Sequence, residues 1–554
     1  MSTDWAYLSA LPGSKSVIQR LFWWQSGIIA VDVETYSIED QTPIGFSIAI
    51  NPNEAFWFDI GHTQYIIDIK LMLTNPNIIK VFHNGSFDKP ILQHYLDIPL
   101  PNCIDTMYMA QLLGLPPRLN DLALMLINRK SLEIKDLLGS GKAKKKSMLE
   151  VPKAQVVEKC CLDTQVSFGC YLEMKDAVSP RALDLELRSE PFMQAAGERG
   201  LRIDLDRLQQ HKEVTEKELK YYKTICTGMG FNPGSSLQVA WILKSRGHHV
   251  LFNKATGKPI MTEEVLRTRY INDPISHIVL KYRHARSRLS TQLEGVEKRL
   301  IDDRLYITFR QSGADSGRIS TTPNSQNIEY DIRDMYIPSD GNELEVADFS
   351  QIELRIIAWM SQDPAMMAVF GRGESFHRDT ARQMYGKHYT RPQYTLAKNL
   401  NFTCWYGGDD YTLWNRYQVP RPEGKEFIKK LFTIYARGAQ WLEEQKEEIY
   451  SKQQATTLYG RVRLFPDIQL GVDWITAKNF REGINHIVQG TAGEVNKEAI
   501  IFCGREPMVN TVHDELVFDV PEQHKVLLPS ANALAPFHSP IEWGRGYNWK
   551  EAKP

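Results

Sequence analysis

Two strand-like stretches far apart in the chain set the strongest limit on its fold. Residues 344–347 read as a buried strand and residues 508–520 restore the same signal, whereas the stretch between them carries helical spacing. Something large is therefore inserted between the strands of one region. The N-terminal third reads differently. Residues 27–33, 44–50 and 55–60 are short runs rich in Ile, Val and Phe, separated by turn residues, which predicts an α/β layer domain. From about residue 177 to 290 the strand signals thin out, and long charged segments such as 204–224 predict a helical arm. At 554 residues the chain exceeds what one hydrophobic core organises, so several domains are expected.

Composition narrows the class. A hydrophobic fraction of 42%, a charged fraction of 24% and 10% aromatics exclude wholesale disorder. A net charge of −1 does not announce a nucleic-acid partner. It does not exclude one either, because a cleft lined by Lys and Arg can be cancelled by acids elsewhere. Residues 142–146 hold four lysines and read as a solvated loop that could brush a phosphate backbone. No apolar run approaches the roughly 20 residues that span a bilayer, and residues 1–24 lack the pattern of a secretory signal. Seven cysteines, odd in number and without CxxC spacing, suit a reducing compartment, so a cytoplasmic location without membrane contact is expected.

The chemistry-bearing residues are carboxylates at strand ends. Asp32 and Glu34 lie two apart, so on a strand they point to one face. Two carboxylates aimed into one pocket repel unless a cation joins them. Metal-assisted phosphoryl chemistry uses such a cluster to hold divalent ions about 3.5–4 Å apart, and hard oxygen ligands suit Mg²⁺ or Mn²⁺. Taken alone, the pair reads as a solvated strand end. It gains weight from Asn84 and Asp88, which follow the apolar run 78–82, and from Asp163. Downstream, the run 344–347 delivers Asp348 to a strand-to-helix edge, with Ile352, Ile356 and Trp359 along one face of the helix that follows. Residues 509–512 and 516–520 bracket His513, Asp514 and Glu515, so a tight hairpin would present Asp514 at its tip. Lys398, Phe402 and Tyr406 recur every four residues and drift by only about 40° per step, forming one helical stripe. Pro392 and Gly407-Gly408 bound that helix. An aromatic stripe is usually core; a lysine in line with it adds a cation for phosphates beside a face for a base.

The ordered set Asp32, Glu34, Asn84, Asp88 and Asp163 resembles the three motifs of the DnaQ-like (DEDD) 3′→5′ exonucleases. That resemblance implies an RNase H-like fold with Asp32, Glu34, Asp88 and Asp163 as metal ligands. One position departs from the pattern: Lys159 stands where these nucleases usually carry Tyr or His to hold the attacking water. A lysine can donate to that water, but it is a poor general base unless its pKa is depressed. A slow or inactive nuclease therefore stays open.

The second half resembles the family A DNA polymerases, related to bacterial DNA polymerase I. Residues 348–355 are similar to motif A, 512–515 to motif C, and the Lys398 helix to motif B of the fingers. The resemblance implies that Asp348 and Asp514, with Glu515 beside them, hold two metals. Glu353 falls at the steric-gate position against the sugar C2′, and His377 at a contact to the incoming triphosphate. Tyr394 stands where an arginine is usual, and Arg391, rotated by only about 20° from Lys398, could supply that charge. Residues 316–320 with 323–328, which include Arg318 and Asn327, look like the primer–template segment. Arg481, Asn485 and Gln489 look like a further DNA-contacting face, with His513 of motif C. A minor-groove contact from Arg318 would test pair geometry without reading sequence. Residues 231–236 resemble a turn in the thumb, and 546–549 the usual C-terminal ending.

The expected fold is therefore multidomain, α/β and α+β. An RNase H-like exonuclease occupies residues 1–176. A right-hand polymerase follows, with thumb and start of palm at 177–340 and palm and fingers, carrying motifs A, B and C, at 341–554. The implied activity is DNA-dependent DNA synthesis on a primer 3′ end with associated 3′→5′ proofreading, using Mg²⁺ (or Mn²⁺), two per active site. Implied partners are primer–template DNA and dNTPs, with a replicative helicase or primase and a single-strand binding protein as further candidates, and a monomeric state is expected. No room is expected for an N-terminal 5′ nuclease domain or a large thumb insertion, which suits a bacteriophage or other mobile replicon acting in the host cytoplasm. Two alternatives stay open: an exonuclease whose polymerase half has decayed, and a non-catalytic DNA-binding replication component. Asp348, Lys398 and Asp514 argue against both.

Overall fold

The computed structural model describes residues 27–60, 66–139, 145–311, 313–504, 506–528 and 535–554. Segment 1–24 and lysines 142 and 144 of the basic run lie outside these. The described residues pack as two units. One ends at Pro191 and includes Thr456–Leu464; the other comprises Phe192–Ala455 and Phe465–Pro554.

The first unit is built on a five-stranded sheet of order β3-β2-β1-β4-β5. Its strands are β1 (Gly27–Thr35), β2 (Pro43–Asn51), β3 (Glu54–Asp59), β4 (Ile78–Phe82) and β5 (Cys103–Asp105). β1 is antiparallel to β2 and parallel to β4. Alternation along β1 sends Ile29, Val31 and Val33 into an apolar core with Phe46, Ile48 and Phe56. Asp32 and Glu34 consequently face the other way, toward helix α2 (Lys153–Met174), which crosses β1 and β2. Helix α1 (Gly85–Leu96) starts directly after β4. Its entry is a left-handed residue, Asn84 at φ 65°, steadied by the buried Asp105 carboxylate, which accepts from Asn84 N at 3.0 Å and Gly85 N at 2.7 Å.

In the second unit, β6 (Asn342–Phe349) lies between β8 (Glu515–Pro521) and β9 (Ile541–Gly546), with β7 (Met508–Val512) outside β8. β6 pairs antiparallel with β8 from Asn342↔Pro521 to Asp348↔Glu515. The large insertion expected between these strands is thereby closed by the sheet itself. It contains α5 (Ile352–Ser361), α6 (Phe376–Tyr385), α7 (Arg391–Trp405) and α8 (Asp473–Phe502). Upstream, α3 (Leu205–Gly228) and α4 (Pro274–Ser287) pack together as the expected helical arm, with Asp204 capping α3 through Arg207 N at 2.9 Å. Two details differ from expectation. Leu201–Ile203 is a short strand in a second small sheet. And α5 buries Leu354, Arg355, Ile357 and Ala358 as well as Ile352 and Ile356, because α8 and its neighbours cover it on several sides. Among the described residues no helix is long and apolar enough to cross a membrane, and all seven cysteines are free.

Candidate active sites

The second unit brings Asp348 and Asp514 together through backbone pairing. Asp348 is the penultimate residue of β6, and β7 and β8 are joined by a two-residue turn, His513-Asp514. His513 takes the left-handed φ of 58° that such a turn requires. Phe349 N donates to Asp514 O at 3.2 Å, which ties the turn to the end of β6. Gln326 clamps the same turn: its Nε2 donates to Thr511 O at 2.6 Å and its Oε1 accepts from His513 N at 3.2 Å. Burial, then the charges of Asp348 and Glu353, pushes Asp514 up to about 7. Burial also raises Asp348, although Lys553 opposes the shift. Glu515, 3% exposed as the first residue of β8, accepts from Trp549 Nε1 at 2.5 Å and from Lys553 Nζ at 2.6 Å. Lys553 also pairs with Asp348. Gln326 falls in the segment 323–328 already read as primer–template contacting, but nothing in the sequence placed it at this turn; for Lys553 only the neighbouring C-terminal pattern at 546–549 gave a signal.

Beside this cluster, α7 carries the predicted stripe. Thr390 forms a capping box with Gln393, Pro392 sits in the first turn, and Gly407 at φ 76° follows the last residue, Trp405. Tyr406 is thus the C-terminal cap of the helix and not part of its body. Its hydroxyl donates to Glu353 Oε2, and Arg318 Nη2 donates to Glu353 Oε1 at 2.6 Å. The steric-gate candidate, the C-terminal end of the stripe and the expected minor-groove arginine therefore form one hydrogen-bonded group. His377, on α6, is 3% exposed, and its ring lies 5.1 Å from that of Phe402 with the planes tilted by 51°. Burial and then the Lys398 charge bring its pKa down to about 4. The neutral ring can accept from Asn401 Nδ2 through Nδ1 at 3.3 Å, which leaves Nε2–H as a donor. Lys398 is exposed. Arg391 is exposed at the first turn of α7 and borders a cavity of about 450 Å³ with Pro392, Thr395, Leu396, Asn399 and Tyr417; Lys398 does not line it. Arg481, Asn485 and Gln489 share a face of α8, Arg481 exposed and the others half-buried, and Asn327 is exposed.

The first unit gathers its four acids around a lysine. Lys159 Nζ lies 2.6 Å from Glu34 Oε1 and 2.7 Å from Asp163 Oδ2. Asp88, on α1, accepts from Val33 N at 3.3 Å, and Cys160 Sγ donates to Asp32 Oδ2 at 3.2 Å. Burial raises Asp32, Glu34 and Asp88, with neighbouring carboxylates adding to all three. Burial alone would depress Lys159, but Asp163, Glu34 and Asp32 outweigh it and hold the ammonium well above its ordinary value. The depressed pKa that a lysine base requires is therefore absent. Lys159 is a fixed cation inside the cluster. Asn84, exposed at the N-terminal cap of α1, is held through its backbone N–H by Asp105, and its Oδ1 accepts from Ser86 Oγ at 3.3 Å.

Comparison with known proteins finds two family models along the chain. Residues 204–530 match the model of DNA polymerase family A, and residues 14–175 match a 3′-5′ exonuclease model. The DNA polymerase I of Pseudomonas aeruginosa is 26% identical over 95% of this chain and 64% of its own length. That of Synechocystis is 27% identical over 95% and 60%. The chain thus spans about six-tenths of the length of these curated relatives. A solved structure described as the POL domain of Pol1 from M. smegmatis, in complex with DNA primer-template and dNTP, superposes with a TM-score of 0.81 at 21% identity, covering 98% of this chain and 99% of that one.

Proposed function

The chain belongs to DNA polymerase family A, and on that premise we propose that its second unit adds dNMP units to a primer 3′ end under template direction, while its first unit removes them 3′→5′. The observation that carries this reading is the convergence of Asp348 and Asp514 from β6 and the β7–β8 turn, beside the group formed by Glu353, Tyr406 and Arg318. Members of this family use divalent metal. The donor set here fits one: both carboxylates supply hard oxygens, both are raised by burial, and the cation between Asp348 and Glu515 belongs to the partly exposed Lys553. We assign Asp348 and Asp514 as ligands of two Mg²⁺ (or Mn²⁺) ions. When bound, such ions neutralise the triphosphate and ease deprotonation of the primer hydroxyl.

The side chains divide the remaining work. Lys398 and the Nε2–H of neutral His377 donate to triphosphate oxygens, and Phe402 and Tyr406 line the base. Glu353, held from both sides, blocks a 2′-hydroxyl. Arg318, Asn327, Arg481, Asn485, Gln489 and His513 contact primer and template. Arg391 adds charge at the start of α7. In this reading residues 1–176 are the nuclease, 177–340 the thumb and start of the palm, and 341–554 the palm and fingers. In the nuclease, Asp32, Glu34, Asp88 and Asp163 are the right donor type for a divalent cation. A full two-ion complement does not fit, because Lys159 already fills the gap between Glu34 and Asp163.

The test is a 5′-labelled primer on a longer template with Mg²⁺, with and without dNTPs. Extension with dNTPs and trimming without them are expected. Shortening only, under every dNTP condition, would sink the polymerase reading.

A further inference from the structure

We propose that the Lys159 ammonium takes the place of one of two divalent ions, so that the acidic cluster of the first unit binds a single ion. The inference rests on the exonuclease reading of that cluster. Lys159 stands one helical turn before Asp163 on α2 and reaches across to β1, where Glu34 lies. Its Nζ sits 2.6 Å from Glu34 Oε1 and 2.7 Å from Asp163 Oδ2. A Mg²⁺ bridging the same two carboxylates would need oxygen distances of about 2.0–2.1 Å, and therefore the same gap. An ammonium and a divalent ion cannot share it, since both are positive and would lie closer than van der Waals contact allows.

Displacement of the lysine is opposed by its surroundings. The Lys159 and Glu34 side chains are each 7% exposed and Asp163 is 14% exposed, so withdrawing the ammonium would leave two largely buried carboxylates without their cation. A place for one ion remains. Asp32 makes no hydrogen bond to Lys159 in the set that fixes the lysine, and Asp32, Glu34 and Cys160 present ligand atoms within 4.8 Å of one another. Asp32 and the second oxygen of Glu34 can hold a hard cation there.

The test counts Mn²⁺ by the electron paramagnetic resonance signal of the free ion. It uses the full chain carrying Asp348→Asn and Asp514→Asn, so that the second unit does not contribute. Sites in the cluster are the difference between this chain and the same chain with Asp32→Ala. One ion is expected with Lys159 in place, and two after Lys159→Tyr or, should that variant not fold, Lys159→Gln. A count of two with Lys159 in place overturns the proposal, as does a count of one in a folded Lys159 variant. No difference between the Asp32 and Asp32→Ala chains overturns instead the metal-site reading on which the proposal rests.

Discussion

In the first unit the lysine between the carboxylates, Lys159, comes from the same helix as Asp163 and is 7% exposed. In the second, Lys553 comes from the chain's last residues and is 31% exposed, pairing with Asp348 and Glu515. Both lysines are held above their ordinary value by the carboxylates they touch, against the opposing effect of burial. What differs is the cost of removing them. A lysine with about a third of its side chain exposed returns its charge to water at lower cost than one packed against a central strand. The same pair of charges is thus a removable cover in one cluster and part of the framework in the other.

The largest expected effect lies in the cluster with the removable cation. Asp514→Asn should lower single-turnover extension by about a thousandfold, the scale of several kcal/mol that a bound metal supplies, with trimming unchanged. A tenfold loss or less would remove Asp514 from the catalytic pair. Next comes Lys159→Ala, which leaves Glu34 and Asp163 buried without their cation. Urea melts in EDTA should show a loss of about 3 kcal/mol, part of it recovered on adding Mn²⁺. Equal stability with Lys159 absent would show that the lysine is as replaceable as Lys553.

His377 sharpens the contrast, since it is buried beside a lysine instead of beside acids. Its folded pKa, about 4, lies below the unfolded value near 6.5. The unfolded chain therefore takes up the proton first, and stability falls as pH drops below 6.5. Between pH 6.5 and 5 this contribution is about 2 kcal/mol, and it should vanish in His377→Gln; parallel melts at the two pH values measure the difference. A His377→Gln chain with the same pH dependence would contradict the neutral ring. The smallest effect is expected from Lys553→Ala, at or below about 1 kcal/mol of stability, read from the same melts. A loss as large as that of Lys159→Ala would erase the distinction between the two clusters.

Asp32, Glu34, Asp348 and Asp514 were legible in the sequence because each sits where a short apolar run ends, whereas Asp88 and Asp163, inside α1 and α2, were legible only through the nuclease resemblance. Strand alternation alone sends Asp32 and Glu34 to one face, and the two-residue turn alone places Asp514. The α7 helix was legible for the same local reason, with Pro392 and Gly407 marking its ends. The cations were not. Lys159 could be seen as a departure from the nuclease pattern, but its pairing with Glu34 spans 125 residues and depends on how α2 crosses β1. Lys553 reaches Asp348 across 205 residues from a polar ending without periodicity. Gln326, Arg318 and Tyr406 likewise acquire their partners only once β6, α7 and the preceding loop are brought together. Local pattern places a residue on a face; what opposes that face is decided by the sheet order.

The most direct measurement separates the two clusters on one substrate. With a 5′-labelled primer on a longer template and Mg²⁺, Asp348→Ala should abolish extension and leave trimming, and Asp32→Ala should abolish trimming and leave extension. Loss of both activities from either single substitution would contradict two independent centres.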